Sequence, residues 1–164
     1  MVAEVFPLAD IGLPLGARVP DFTLPDARGR LVRLAERLRT GPVVLIFCRS
    51  EGCSCCAVRL RAYLRALPEL AEFGAALITI SPRPPVPTLS TEDEHRRSLD
   101  VLGDVEQRVF ADFGLRRELS GEPVPATFVL DRQGVVRARH VGVDHGTTME
   151  PADALAAVEA ITLG

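Results

Sequence analysis

Three stretches of this chain are apolar almost without a break: VVLIF (43–47), AALITIS (75–81) and ATFVL (126–130). VVLIF is a continuous β-branched and apolar run, the pattern of a strand buried on both faces of a mostly parallel sheet, and Gly41 and Pro42 punctuate its entry. AALITIS predicts a second buried strand and ATFVL a third. Between the first two the period changes. Cys56, Leu60, Tyr63, Leu64 and Leu67 recur at helical spacing, which predicts a helix from near Cys53 that stops at Pro68. ATFVL, the turn DRQG and VVRARHV predict a hairpin. EPADALAAVEAI, with Pro151 in its first turn, predicts a terminal helix. Upstream, VPDFTLPDARGRLVRLAERL predicts a short strand, a turn at Asp26 to Gly29, and a second strand or helical turn.

The middle of the chain is more polar. PRPPVPTLS is a stiff Pro-rich loop. STEDEHRRSL carries a helix start, with Ser90 or Thr91 as N-cap and Glu92, Asp93 and Glu94 as acids of the first turn. DVEQRVFADFGL predicts a short helix ending at Gly114. The order is β-α-β-α-β-β-α after an N-terminal hairpin, an α/β arrangement with no internal repeat and no low-complexity linker.

Composition narrows the function. A chain of 164 residues predicts one domain over 1–164, and 47% hydrophobic residues suffice for a core without disulfides. A net charge of -3 argues against nucleic acid as partner, and no apolar run reaches the ~20 residues that span a bilayer. MVAEVFPLADIGLPLG lacks a basic region and contains Glu4 and Asp10, a poor secretory signal that favours a reducing, cytoplasmic setting. All 19 basic residues are Arg, which excludes Lys Schiff-base chemistry and a Walker-type phosphate lysine. Asn is absent as well, so papain-type chemistry and N-glycosylation drop out.

All 4 cysteines, Cys48, Cys53, Cys55 and Cys56, fall in FCRSEGCSCC. In a reducing setting such a cluster is catalytic or metal-binding more often than structural. Cys53 lies at the predicted helix start, where unpaired backbone N–H groups and the helix dipole favour a thiolate, and Arg49 adds positive charge nearby. Cys56 is one turn further on, on the face of Leu60 and Leu64, suited to resolve a mixed disulfide. Cys48 alternates with Val44 and Ile46 and reads as a small core side chain; Cys55 reads as a spare surface thiol. Cys53, Cys55 and Cys56 could instead hold a soft metal, or sense oxidants without turnover. Structural zinc usually takes four ligands, and the chain has no second Cys/His pair. His95, His140 and His145 read as surface or strand residues. Arg96, Arg97, Arg116 and Arg117 read as ordinary surface.

On VPDFTLPDARGRLVRL, VVLIFCRSEGCSCC, LITISP, VPATFVLDRQGVVRARHVGVDH and EPADALAAV, the chain resembles the AhpC/TSA peroxiredoxin-like branch of the thioredoxin superfamily, from about Gly16 to Leu163. The resemblance implies a thioredoxin-like fold, a central mixed sheet flanked by helices with an N-terminal β-hairpin extension. It also implies a cis Val124–Pro125 bond, with Pro125 facing the thiols. In that branch the thiol segment commonly reads F-Y-R-G-G-W-C-P-Y-C; Arg49, Cys53 and Cys56 match, while the Trp is Gly52. In true peroxiredoxins Pro-x-x-x-Thr-x-x-Cys follows the same strand. Here those positions are Arg49, Cys53 and Cys56, and the activating Arg is Pro125. Three of four groups are replaced, which favours thiol–disulfide exchange by Cys53 and Cys56 over the alternative, peroxidase chemistry at Cys56 or Cys53. The resemblance implies a thiol reductant of thioredoxin or glutathione type, a disulfide or hydroperoxide substrate and no cofactor, and leaves room for a homodimer.

Overall fold

The computed structural model describes residues 11–49, 54–85, 99–117, 119–142 and 149–163, with residues 54–59 described as backbone. Strands β1 (Thr23–Pro25) and β2 (Leu31–Arg33) pair as the predicted antiparallel hairpin and lead into helix α1 (Leu34–Thr40). Next come β3 (Val43–Phe47), α2 (Ser54–Glu72), β4 (Ala76–Ser81), β5 (Leu99–Gly103) and α3 (Arg108–Asp112). Strands β6 (Ala126–Leu130) and β7 (Val136–Val141) and helix α4 (Pro151–Leu163) complete the described chain. The second sheet has the order β5-β4-β3-β6-β7. Strands β3, β4 and β5 run parallel, and β6 and β7 add antiparallel pairs, so this is a mixed thioredoxin-like sheet with an N-terminal hairpin beside it.

The apolar runs form the middle of that sheet because both of its faces are covered. Every residue of β3, β4 and β6 is buried. On one face Phe47 meets Phe110 and Phe113, with ring centroids 5.0 Å away in each case, and Phe128 at 6.0 Å. Such edge and tilted aromatic pairs contribute roughly 0.5–1.5 kcal/mol each beyond area burial. On the other face Val44 and Ile46 join Tyr63, Leu67 and Leu70 of α2 and Ala154 and Val158 of α4. Each fully buried side chain of Val, Leu or Phe size contributes about 1.5–3 kcal/mol.

Helix α2 continues through Pro68, where the sequence predicted its end. An interior proline removes one backbone hydrogen bond and costs about 3 kcal/mol. Leu67 and Leu70, both 1% exposed, flank it, and their burial carries the helix on to Glu72. The chain then turns at Gly74, at φ 71. That turn lies against Gly41, where an added Cβ would sit 2.1 Å from the Gly74 carbonyl oxygen. Strand β5 was not predicted, and the DVEQRVFADFGL helix shrinks to α3. The predicted helix in STEDEHRRSL, with Ser90, Thr91, Glu92, Asp93, Glu94, His95, Arg96 and Arg97, lies outside the described residues.

Candidate active site

Strand β3 ends at Phe47 and α2 starts at Ser54, so the thiol segment joins a buried strand to a helix N-terminus, one residue from the predicted start. Helix α2 returns along the sheet: its far end reaches the start of β3, where the Ala76 N–H donates to the Pro42 carbonyl at 3.0 Å. The first turn of α2 therefore lies at the C-terminal end of β3. Parallel α/β strands characteristically present ligands at that end.

Cys53 lies outside the described residues. Cys55 and Cys56 belong to the first turn of α2, as backbone. Cys48 is half-buried and packs against the Val44–Ile46–Tyr63 cluster, so it stands on the side of the sheet that α2 covers, as its alternation predicted. Its N–H donates to the Ile80 carbonyl at 2.8 Å, which prolongs the β3–β4 pairing by one residue. Arg49 follows and is exposed.

Pro125 sits immediately before β6. Because Phe47 pairs with Ala126 in an antiparallel register, the next position across from Pro125 is Cys48. Pro125 thus stands at the thiol end of the sheet. The expected cis bond is corrected: no cis peptide occurs among the described residues, and Val124–Pro125 is trans. The Val124 N–H donates to Leu115 O at 2.7 Å, and the Pro125 carbonyl accepts from the Gly142 N–H at 2.9 Å. Both partners are thus satisfied with the bond in its intrinsically favoured form.

His140 is a strand residue of β7, paired in register with Thr127; its Nε2 is buried with no hydrogen-bond partner. His145 lies outside the described residues. Arg116 and Arg117 are exposed next to the Arg116–Pro123 bridge. A hollow of about 630 Å³, lined by Pro42, Phe73, Arg132, Arg137 and Ile161 among others, opens where β3 begins, at the far end from the thiols. It is therefore no part of a thiol groove. What sequence reasoning missed is the adjacency of Cys48 and Pro125. The alternation of Val44, Ile46 and Cys48 gave the face, but the partner follows only from the β3–β6 register.

Residues 15–139 match the model of the AhpC/TSA family. The chain belongs to that family. Among AhpC/TSA-like relatives, a peroxiredoxin-named protein of Mycobacterium tuberculosis is 35% identical over 122 residues, which cover 71% of this chain and 77% of that one. The methylamine utilization protein MauD of Paracoccus denitrificans is 29% identical over 138 residues, covering 80% of this chain and 61% of MauD. The crystal structure of peroxidoxin BcpB from Mycobacterium tuberculosis superposes with a TM-score of 0.73 at 28% identity, over 92% of this chain and 98% of that one. The chain is thus a thiol-dependent oxidoreductase of the peroxiredoxin-like group.

Proposed function

We propose that this AhpC/TSA protein is a single-domain enzyme, over residues 1–164, that reduces disulfides through a redox-active Cys53–Cys56 pair. The observation that carries this reading is the strand-to-helix junction between Phe47 and Ser54, which holds a C-x-x-C at the start of α2. The Cys53 thiolate attacks one sulfur of the substrate disulfide and expels the other half as a thiolate. Cys56 then attacks Cys53 Sγ, releases the second substrate thiolate and leaves the Cys53–Cys56 disulfide. A dithiol of thioredoxin type, or two glutathione-type thiols, returns the pair to the reduced state. Arg49 supports the thiolate with its charge, and Pro125, next to Cys48 at the sheet end, shapes the groove. A reducing cytoplasmic compartment suits this cycle, and a homodimer is compatible with it. The test is peptide mapping after mild oxidation. A Cys53–Cys56 disulfide is expected, and its absence sinks the mechanism.

The peroxiredoxin names of the relatives favour a second reading. Here a Cys56 or Cys53 thiolate attacks a hydroperoxide, giving a sulfenic acid and an alcohol, and a second thiol displaces water to form the disulfide. Peroxide consumption with thioredoxin or glutathione recycling separates the two. Activity lost in Cys56→Ser but kept in Cys53→Ser would favour the peroxidase with Cys56 as nucleophile.

A further inference from the structure

Two placements put Cys48 and position 56 of the α2 backbone at the same end of the sheet. Cys48 extends β3 by one residue on the side that α2 covers, and it packs against the Val44–Ile46–Tyr63 cluster. It is half-buried, whereas the preceding Val43–Phe47 are at most 1% exposed. Helix α2 turns the face of Tyr63, Leu67 and Leu70 to the sheet. Position 56 precedes Tyr63 by two helical turns and so shares that face, about 10 Å nearer the C-terminal end of β3. That is the end where Cys48 stands. Cys48 is also directly across from Pro125, so it lies inside the proposed groove.

We infer that Cys48 is a third working thiol of this centre, which exchanges with Cys56. This rests on the Cys53–Cys56 cycle proposed above. Cys48, as thiolate, attacks Cys56 Sγ of the Cys53–Cys56 disulfide. The Cys48–Cys56 bond forms, the Cys53–Cys56 bond breaks, and Cys53 leaves as a thiolate that takes up the proton Cys48 gave up. One disulfide moves and no outside oxidant is consumed. The consequence is a protein that stays oxidised at Cys56 while Cys53 regains its nucleophile.

The experiment is disulfide mapping by mass spectrometry after one equivalent of diamide, acid quenching and alkylation. The proteins are the full-length wild type, Cys48→Ser, Cys53→Ser and the Cys48→Ser/Cys53→Ser double variant. Wild type should give both Cys53–Cys56 and Cys48–Cys56, and Cys48→Ser only Cys53–Cys56. Cys53→Ser should give Cys48–Cys56 as its main intramolecular disulfide, lost in the double variant. Cys48→Ala repeats the mapping if thermal melting shows Cys48→Ser to be unfolded. Two results overturn the inference alone: Cys48 stays fully alkylated in oxidised wild type while Cys53–Cys56 forms, or Cys56 of Cys53→Ser pairs with Cys55 or another molecule. If wild type gives Cys48–Cys56 but never Cys53–Cys56, the Cys53–Cys56 cycle fails and the exchange that starts from it is overturned with it, although Cys48 still pairs with Cys56.

Discussion

Asp131 and Asp104 are both nearly inaccessible, at 4% and 2% exposure, yet their carboxyls are displaced in opposite directions. Asp131 opens the β6–β7 turn, at the end where β3 begins. Asp104 follows β5 at the thiol end, and its N–H donates to Ser81 O at 2.7 Å. Burial pushes each carboxyl upward. In Asp131 that push is outweighed by N–H bonds from Val135 and Gln133, at 3.0 and 2.9 Å, and by Arg137 Nε at 2.8 Å, so its pKa falls. Asp104 accepts N–H bonds from Phe110 and Arg108, at 2.9 and 3.1 Å, with the Val109 N–H also favouring its charge, and it has Asp112 in its neighbourhood as a further charge of the same sign. There burial wins and the pKa rises. Asp26 repeats the Asp131 arrangement in the β1–β2 turn, with the Arg28 and Arg30 N–H groups and Arg30 Nε, and its pKa is lowered too. Backbone donors alone do not offset burial at Asp104; in the two turns an arginine completes the balance.

The largest expected effect separates the two sites by stability. Asp131→Ala leaves two turn N–H groups and Arg137 Nε without their acceptor and should cost about 2–3 kcal/mol. Asp104→Ala loses the backbone N–H bonds to its carboxyl but also a desolvated charge, so about 1–2 kcal/mol is expected. Urea midpoints at neutral pH check both values, and a greater loss at Asp104 would break the comparison.

A sharper contrast lies in pH. The lowered pKa of Asp131 means its contribution is present above the unfolded carboxyl value and is lost as pH falls through the folded one. The raised pKa of Asp104 reverses this. Its contribution is full below the unfolded value and is lost as pH rises through the folded one. The cost of Asp131→Asn should therefore shrink from pH 7 to pH 3, while that of Asp104→Asn should grow. Denaturant titrations at both pH values decide it, and parallel trends would refute the assignment.

The smallest effect concerns the arginine. Arg137 is 56% exposed, so Arg137→Gln should cost less than about 1 kcal/mol. It should also weaken the acid-linked loss of stability at Asp131, bringing the two aspartates closer together. An unchanged acid response would show that the backbone donors alone hold Asp131.

The sequence made the sheet centre legible because VVLIF and ATFVL are buried on both faces, so their hydrophobic runs coincide with β3 and β6. LDVLG hid its strand character behind Asp100. That carboxylate is held by Arg37 of α1, at 2.7 and 3.1 Å, a pairing across 63 residues that no local pattern carries. Pro68 misled for a similar reason, since tertiary burial of Leu67 and Leu70 overrode its local preference. At the candidate site, the junction and its helix start were readable from periodicity. The place of Cys48 beside Pro125 was not, because it depends on how β6 aligns against β3. The trans Val124–Pro125 bond departs from what the fold resemblance implied, and its neighbours' hydrogen bonds belong to this chain's own loop.

The close approach of Gly41 and Gly74 gives α2 a mechanical role. Helix α2 spans 19 residues, about 28 Å, and the burial of Leu67 and Leu70 holds it together across Pro68. Its tail is seated by a contact that tolerates no side chain at position 41, and its head carries the thiol turn. Tyr63, anchored through its hydroxyl to the Met149 carbonyl at 2.8 Å, lies between them like a fulcrum. Extra volume wedged beneath the tail would therefore tilt the head, so a methyl group at Gly41 could be felt as a change of thiol reactivity at the opposite end of the sheet.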